Sequence, residues 1–273
     1  MSSPNTISVD KLHRLIGLPK CPHLIDVRTA EDFEAAPSLI PGAVRRDWQS
    51  VDAWASAVSG DTVVVCQQGL KLSHGVAAWL RHAGVDAVVL DAGMAGWLSA
   101  GMPVVPAANI PRRDAGGRTV WVTRSRPKID RIACPWLIRR FIDRGAVFLF
   151  VAPSEVKMVG ERFAATPFDI EDTFWSHRGP KCTFDTMVEE FGLATAPVLR
   201  LAAIVRAADT AVLDGAAEAS GLLAVSLGLS RMFSDDLEQL DAGMLVYDAL
   251  YRWCRDATDE THNWPAGKAR TAR

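Results

Sequence analysis

No two cysteines stand as a CxxC pair. The five, Cys21, Cys66, Cys134, Cys182 and Cys254, are odd in number and far apart. That argues for free thiols, against a disulfide framework and against a cysteine-based structural zinc site. The first residues, MSSPNTISVDKLHRLIG, lack a basic start followed by a long apolar run. Apolar stretches such as GLLAVSLGL (221–229) are too short to span a bilayer. The expectation is a cytoplasmic protein without membrane contact. Net charge is also nearly absent, at −2, so the overall field favours neither nucleic acid nor an acidic membrane. No internal repeat is visible.

What is present suffices for two ordinary cores, with 273 residues of which 49% are apolar. In the first half, strands and helices alternate. HLIDV (23–27), DTVVVC (61–66) and DAVVLDAG (86–93) read as strands. AEDFEAA (30–36), HGVAAWLRHAG (74–84, capped by Gly84) and MAGWLSAG (94–101) read as helices. Near-continuous apolar strands between helices imply a parallel sheet covered on both faces. PVVPAANIPRRDAGGRT (103–119) is rich in proline and glycine and reads as a linker, set at 107–118.

The second half opens with a strand, TVWVTRS (119–125), a helix within IDRIACPWLIRRFIDRG (129–145) and a strand, AVFLFV (146–151). Because proline is tolerated near a helix start, Pro135 places that start around Ala133. Cys134 then falls in the first turn, with either an acidic thiol or a packed, inert one. From 183 onward apolar residues recur at helical spacing in four segments, the last introduced by Ser234 and two aspartates. The tail 257–273 reads as disordered. The fold class is therefore α/β, a parallel sheet with helices on both faces, followed by a second α+β, mostly helical domain.

Cys66 ends the buried strand and precedes a polar loop and a helix N-terminus. A helix N-terminus favours thiolate, the nucleophilic form of cysteine. The backbone N–H groups of the loop, turned inward, would hold a thiolate, a persulfide or an oxyanion. Gly69 supplies conformational freedom and Lys71 one positive charge. Taken alone, a cysteine closing a strand also reads as a small buried hydrophobe.

The segments LIDVRTAEDFEAAPSLIPGAV (24–44), DTVVVCQQGLKLSHGVAAWLRHAG (61–84) and VVLDAGMAGWLSAGMPVV (88–105) resemble, in order, those of the rhodanese sulfurtransferase family. The resemblance covers residues 5–106. It implies a rhodanese-like fold with Cys66 as the persulfide-carrying nucleophile. Gln67, Gln68, Gly69, Leu70, Lys71 and Leu72 would bind the transferred sulfur or a sulfur oxyanion. Asp26 and Arg28 match a family pair, chiefly an ion pair tying the first loop, with substrate contact as a secondary role. Gln67 and Lys71 stand where the family commonly has arginine, which leaves the donor open. The implied partners are a small-molecule sulfur donor and a thiol acceptor, and no cofactor is required.

Residues 118–144 carry Arg118, Arg124, Arg126, Lys128, Arg131, Arg139, Arg140 and Arg144 against Asp130 and Asp143. They read either as a solvated face or as an anion site, with Arg124, Arg126, Lys128 and Arg131 as its candidates. The loop 167–187 holds Asp169, Glu171, Asp172, His177, Cys182 and Asp185. His177, Glu171 and the distant Asp209 are the candidates for one divalent metal ion, against an ordinary polar loop. The segments 122–151, 172–193, 202–209 and 218–232 look like the C-terminal domain of ChrB-type chromate-resistance proteins, RIACPWLIRRFID being the most specific part. That resemblance covers about 119–256 and implies a context of oxyanion stress. Acidic and basic residues balance over residues 112–273, unlike a DNA-binding domain. Two functions are therefore expected: a sulfurtransferase acting through Cys66, or a chromate-responsive sensor whose second domain binds chromate, sulfate or a metal. The sequence sets no oligomeric state.

Overall fold

A computed structural model of the chain describes residues 5–260. Residues 261–273, most of the tail expected to be disordered, lie outside the described residues. The strands are β1 (Thr6–Ile7), β2 (His23–Asp26), β3 (Ser38–Leu39), β4 (Ala43–Arg45), β5 (Thr62–Val65), β6 (Ala87–Leu90), β7 (Val105–Pro106), β8 (Val120–Arg124), β9 (Val147–Val151) and β10 (Thr166–Pro167). The first sheet has the order β1-β6-β5-β2-β4, and every neighbouring pair is parallel. β3 and β7 form a separate antiparallel pair.

All four residues of the central strand β5 are buried, as a run of β-branched residues between two helical layers requires. Alternation divides them between the two faces. Val63 and Val65 join a core with Leu12, Leu90 and Trp97. Val64 and Cys66 join another with Val76, Ala77 and Leu80. The helix after Cys66 runs Lys71–His82, one turn earlier than its apolar pattern indicates. Gly69, at φ +65°, completes the turn and lets the helix begin at once. It ends as expected, with Gly84 at φ +85° and Val85 N–H donating back to Leu80 O at 2.9 Å.

The second sheet, β10-β8-β9, is again parallel. Two residues ending in Pro167 carry no strand signature, and β10 escapes the sequence reading. The helix Asp130–Phe141 starts before Ala133 and holds Pro135 inside it. Proline removes one backbone bond there, and burial compensates: Ile132, Ala133, Cys134, Trp136, Leu137, Ile138 and Phe141 are all buried. A helix apolar on every side must be covered on every side. The helices Thr183–Glu190, Ala196–Asp209 and Asp236–Asp256 lie against it or near it. Asp235, not Ser234, caps the last of these, accepting from Leu237 N and Glu238 N.

Two separate cores were expected, but the larger core crosses the chain midpoint. Leu12, Ile16, Ile40 and Trp97 belong to the same apolar cluster as Trp121, Trp136, Phe141 and Tyr251. Gly17, at φ +79°, lies so close beneath Phe141 and Tyr251 that an added Cβ would stand 2.9 Å from Cε1 of each ring. Gly42 N–H donates to Phe141 O at 2.5 Å, and Arg255 to Arg14 O at 3.0 Å. Within the expected linker, Asn109 donates to Glu190 O at 2.5 Å.

Candidate functional sites: the Cys66 loop and an aspartate–histidine cluster

β5 delivers Cys66 to the carboxyl end of the parallel sheet, the end at which such folds place ligands. Its Sγ lies 3.0 Å from the hydroxyl of Ser73, which in turn donates to Leu70 O at 3.0 Å. The loop is pinned from below. Met94 N–H donates to Cys66 O at 3.0 Å and Ala95 N–H to Gln67 O at 2.9 Å. Gly69 is pressed onto the same segment, where a Cβ would stand 2.6 Å from Leu90 O and 2.7 Å from Gly93 N. The loop N–H groups of Gln67, Gln68, Gly69 and Leu70 find no acceptor among the described residues. At the rim, Gln68, Leu70 and Lys71 are exposed. Leu72 turns inward and packs against the core that holds Cys66.

Asp26 and Arg28 are both buried. Arg28 Nε and Nη2 donate to Asp26 Oδ2 at 2.8 and 2.7 Å, and the guanidinium also reaches Ala36 O and Ser38 O at 3.1 and 2.5 Å. Its charge lies over Phe33, 4.9 Å from the ring centroid. Neither side chain presents more than 2% of its surface. The pair ties the first loop, and the expected substrate contact has no exposed group to make it.

The second site is assembled from four separated positions. Asp130 opens its helix with both carboxylate oxygens taken by another helix: Thr183 N–H donates to Oδ2 at 2.6 Å and Phe184 N–H to Oδ1 at 3.2 Å. Asp169 follows β10, Asp209 ends the Ala196–Asp209 helix, and His177 lies on the loop between. His177 Nε2 stands 3.5 Å from Asp130 Oδ2, 3.4 Å from Asp169 Oδ1 and 3.3 Å from Asp209 Oδ2. Ile129 and Asp169 hold positive φ, at 23° and 52°, a strain that side chains other than glycine seldom accept.

Burial raises the Asp130 carboxyl. Burial, with Asp130 and Asp169 nearby, raises Asp209 to about 7. The Asp130 and Asp169 carboxylates hold His177 up, at about 10. For Asp169 burial acts upward but loses to His177, Arg131, Thr183 and Arg124, and the carboxyl falls below its usual range.

The four expected anion-binding residues do not enclose an anion. Arg124 and Arg131 both turn onto Asp169 Oδ2, at 3.3 and 3.2 Å. Arg126 donates from its backbone to Asp236 at 3.1 Å and from its guanidinium to Phe233 O at 3.1 Å. Lys128 is exposed. A buried carboxylate takes the charge meant for a ligand. Of the metal candidates, His177 and Asp209 come together, while Glu171 is exposed and outside the cluster. Asp185 is taken by Arg206 at 2.5 Å and by Cys182 N–H at 3.0 Å. Cys134 is fully buried, and burial followed by the Asp130 charge pushes its thiol far up, so the acidic thiol does not arise.

Asp130 was read only as a counter-charge to the arginines. The signal for its role is position, since the first helical residue after a parallel strand lies at the ligand-binding edge of the sheet.

Comparison with known proteins matches two segments of the chain. Residues 8–100 match the rhodanese-like domain, and residues 121–254 match the ChrB C-terminal domain. Protein ChrB of Cupriavidus metallidurans is 38% identical over 158 residues, 56% of this chain and 47% of that protein. The chain thus spans about half the length of the curated relative it matches. A rhodanese-like domain protein from Staphylococcus aureus is 28% identical, over 34% of this chain and 90% of its own, with a TM-score of 0.31. Thiosulfate sulfurtransferase from Pseudomonas aeruginosa is 25% identical, over 37% of this chain and 19% of its own, with a TM-score of 0.32. No helix of the described residues is long and apolar enough to cross a membrane. The chain carries a rhodanese-like domain followed by a ChrB C-terminal domain.

Proposed function

We propose that the protein is a sulfurtransferase working in a chromate-resistance context, with Cys66 as the sulfur carrier. The carrying observation is the loop around Cys66: a sulfur beside the Ser73 hydroxyl at 3.0 Å, followed by four N–H groups without an acceptor among the described residues. Such groups stabilise an anionic sulfur without reorganising.

In the first step the Cys66 thiolate attacks the outer sulfur of a sulfane donor. A Cys66 Sγ–S bond forms, and the donor's own bond to that sulfur breaks. The leaving group, sulfite in the case of thiosulfate, departs with the electron pair. In the second step an acceptor thiolate attacks the outer sulfur of the persulfide. It leaves as a new persulfide, and Cys66 returns to thiolate with no net electrons gained or lost. The loop N–H groups and Ser73 hold the negative sulfur at both stages. Burial pushes the thiols of Cys21 and Cys254 up, each to about 11, and raises those of Cys134 and Cys182 as well, which removes them as competitors.

The test is intact-mass spectrometry after exposure to thiosulfate or to a small-molecule persulfide. The expected result is a gain of one sulfur on the parent and none on Cys66→Ser. No gain with either donor sinks the proposal.

A further inference from the structure

The Asp130–His177–Asp209 cluster lies outside the Cys66 loop, and sulfur transfer makes no use of it. One ligand atom from each of these residues lies within 4.8 Å of the other two. The distances from His177 Nε2 to the three facing carboxylates are 3.3, 3.4 and 3.5 Å. All exceed the usual hydrogen-bond range of about 2.7–3.2 Å. A ring nitrogen also carries one hydrogen, which cannot point at three oxygens. The spacing has a different natural explanation. Nitrogen and oxygen ligands about 2.1 Å from one ion stand about 3.0 Å apart at right angles and about 3.4 Å apart in a tetrahedron. The separations to Asp209 and Asp130 match the edges of a coordination shell better than the lengths of hydrogen bonds.

A second observation points to the same place. Thr123 is fully buried, and its hydroxyl has no hydrogen-bond partner among the described residues. It shares a face of β8 with Trp121, and Trp121 packs edge-on against Phe168 and Trp175, which lie beside Asp169 and close to His177 in sequence. Thr123 is the penultimate residue of β8, and the register Pro167↔Val122 sets Phe168, the neighbour of Asp169, alongside it; an aqua ligand of an ion in the cluster would offer the hydroxyl a partner.

The surroundings also behave as an outer shell should. Thr183 N–H and Phe184 N–H fix the Asp130 carboxylate. Thr183 Oγ1 donates to Asp169 Oδ1 at 3.0 Å, and Arg131 and Arg124 hold the other Asp169 oxygen. His177 keeps 41% of its side chain exposed, which leaves an entry path and an open face.

We propose that Asp130, His177 and Asp209 bind one divalent first-row transition-metal ion, with Asp169 and its arginines as the outer shell. One imidazole among carboxylates suits Mn²⁺, Fe²⁺ or Zn²⁺ better than Mg²⁺ or Ca²⁺. Two carboxylates and a neutral imidazole balance the ion's charge, and three protein ligands leave positions for water or an oxyanion.

The test uses the full chain carrying Cys66→Ser, so that the thiol cannot supply a ligand and the sulfurtransferase reading plays no part in the outcome. After chelator treatment and dialysis, Mn²⁺ and Zn²⁺ are titrated calorimetrically, with bound metal counted by elemental analysis and Mg²⁺ as the comparison. The expected result is one Mn²⁺ or Zn²⁺ per chain, with affinity falling at least about tenfold in both His177→Ala and Asp209→Asn while the circular dichroism stays unchanged. These variants are chosen because Asp130 also holds a helix terminus. No binding of either ion, or an ion held by either variant at the parent affinity, overturns the proposal.

Discussion

The Cys66 sulfur and the Ser73 hydroxyl stand 3.0 Å apart, and the hydroxyl has one proton for two acceptors. With a thiol, Ser73 donates to Leu70 O and accepts from Cys66. With a thiolate, its proton is needed by the sulfur. A hydrogen bond to a charged group is worth about 1.5–3 kcal/mol. Ser73→Ala should therefore slow alkylation of Cys66 by iodoacetamide about tenfold or more, and slow sulfur loading in parallel. An unchanged rate would remove Ser73 from the mechanism.

Gly69→Ala places a Cβ against Leu90 O and Gly93 N at a backbone φ of +65°. Neither contact is a flexible side chain. We expect a loss of about 1–3 kcal/mol in urea unfolding, together with loss of sulfur loading although Cys66 is retained. Parent-like stability would mean that the loop can lift from the 90–93 segment at little cost.

Asp248 accepts from Trp136 Nε1 at 2.8 Å and from Arg140 Nε and Nη2 at 2.7 Å each. The ion pair is largely out of water, at 16% and 10% exposure. Asp248→Ala leaves a partly buried guanidinium and an indole N–H without an acceptor, and should cost about 2–3 kcal/mol. Thermal unfolding of the variant measures it, and a shift within error would contradict the assignment.

His13 and His23 should oppose acid. Burial, then Arg255, lowers the His13 pKa from 6.5, and burial, then Arg144, lowers that of His23 from 6.5. Both favour neutral imidazole in the fold. Their contribution to stability is present above 6.5 and is lost as pH falls below it through the lower folded values. Imidazole NMR midpoints below 6.5 are expected for both. His13→Gln should narrow the stability difference between neutral and mildly acid pH.

The core shared by Trp97 and Trp136 predicts one unfolding transition for the whole described chain. Tryptophan fluorescence and far-UV circular dichroism should coincide in urea. Two separated transitions would show that the halves unfold independently despite their contact.

The Cys66 loop was legible because its chemistry is contiguous. Strand, cysteine, glycine and helix follow one another within twenty residues, and alternation alone tells which core receives Cys66. The helix start was misplaced because Lys71, Leu72 and Ser73 give no apolar period. The second site was only half legible. Glu171 lies near His177 in sequence, but positive φ at Asp169 and Asp172 turns that stretch, and Glu171 faces solvent. Asp130 and Asp209 lie far from His177 in the chain, and only the packing of their helices unites them. The arginines misled for the same reason: Asp169, which neutralises Arg124 and Arg131, is remote from both in sequence.

Gly17 meets Phe141 and Tyr251, and this contact sets a timetable for the protein in the cell. The rhodanese-like half leaves the ribosome before the helix bearing Tyr251 is made. At about 5–20 residues per second, that helix arrives roughly 7–30 s after β7. Through that interval the face carrying Ile16 and Gly17 has nothing to close on. Nascent chains are therefore most exposed to chaperones and to aggregation while the Cys66 loop is already synthesised but its half still lacks part of its core.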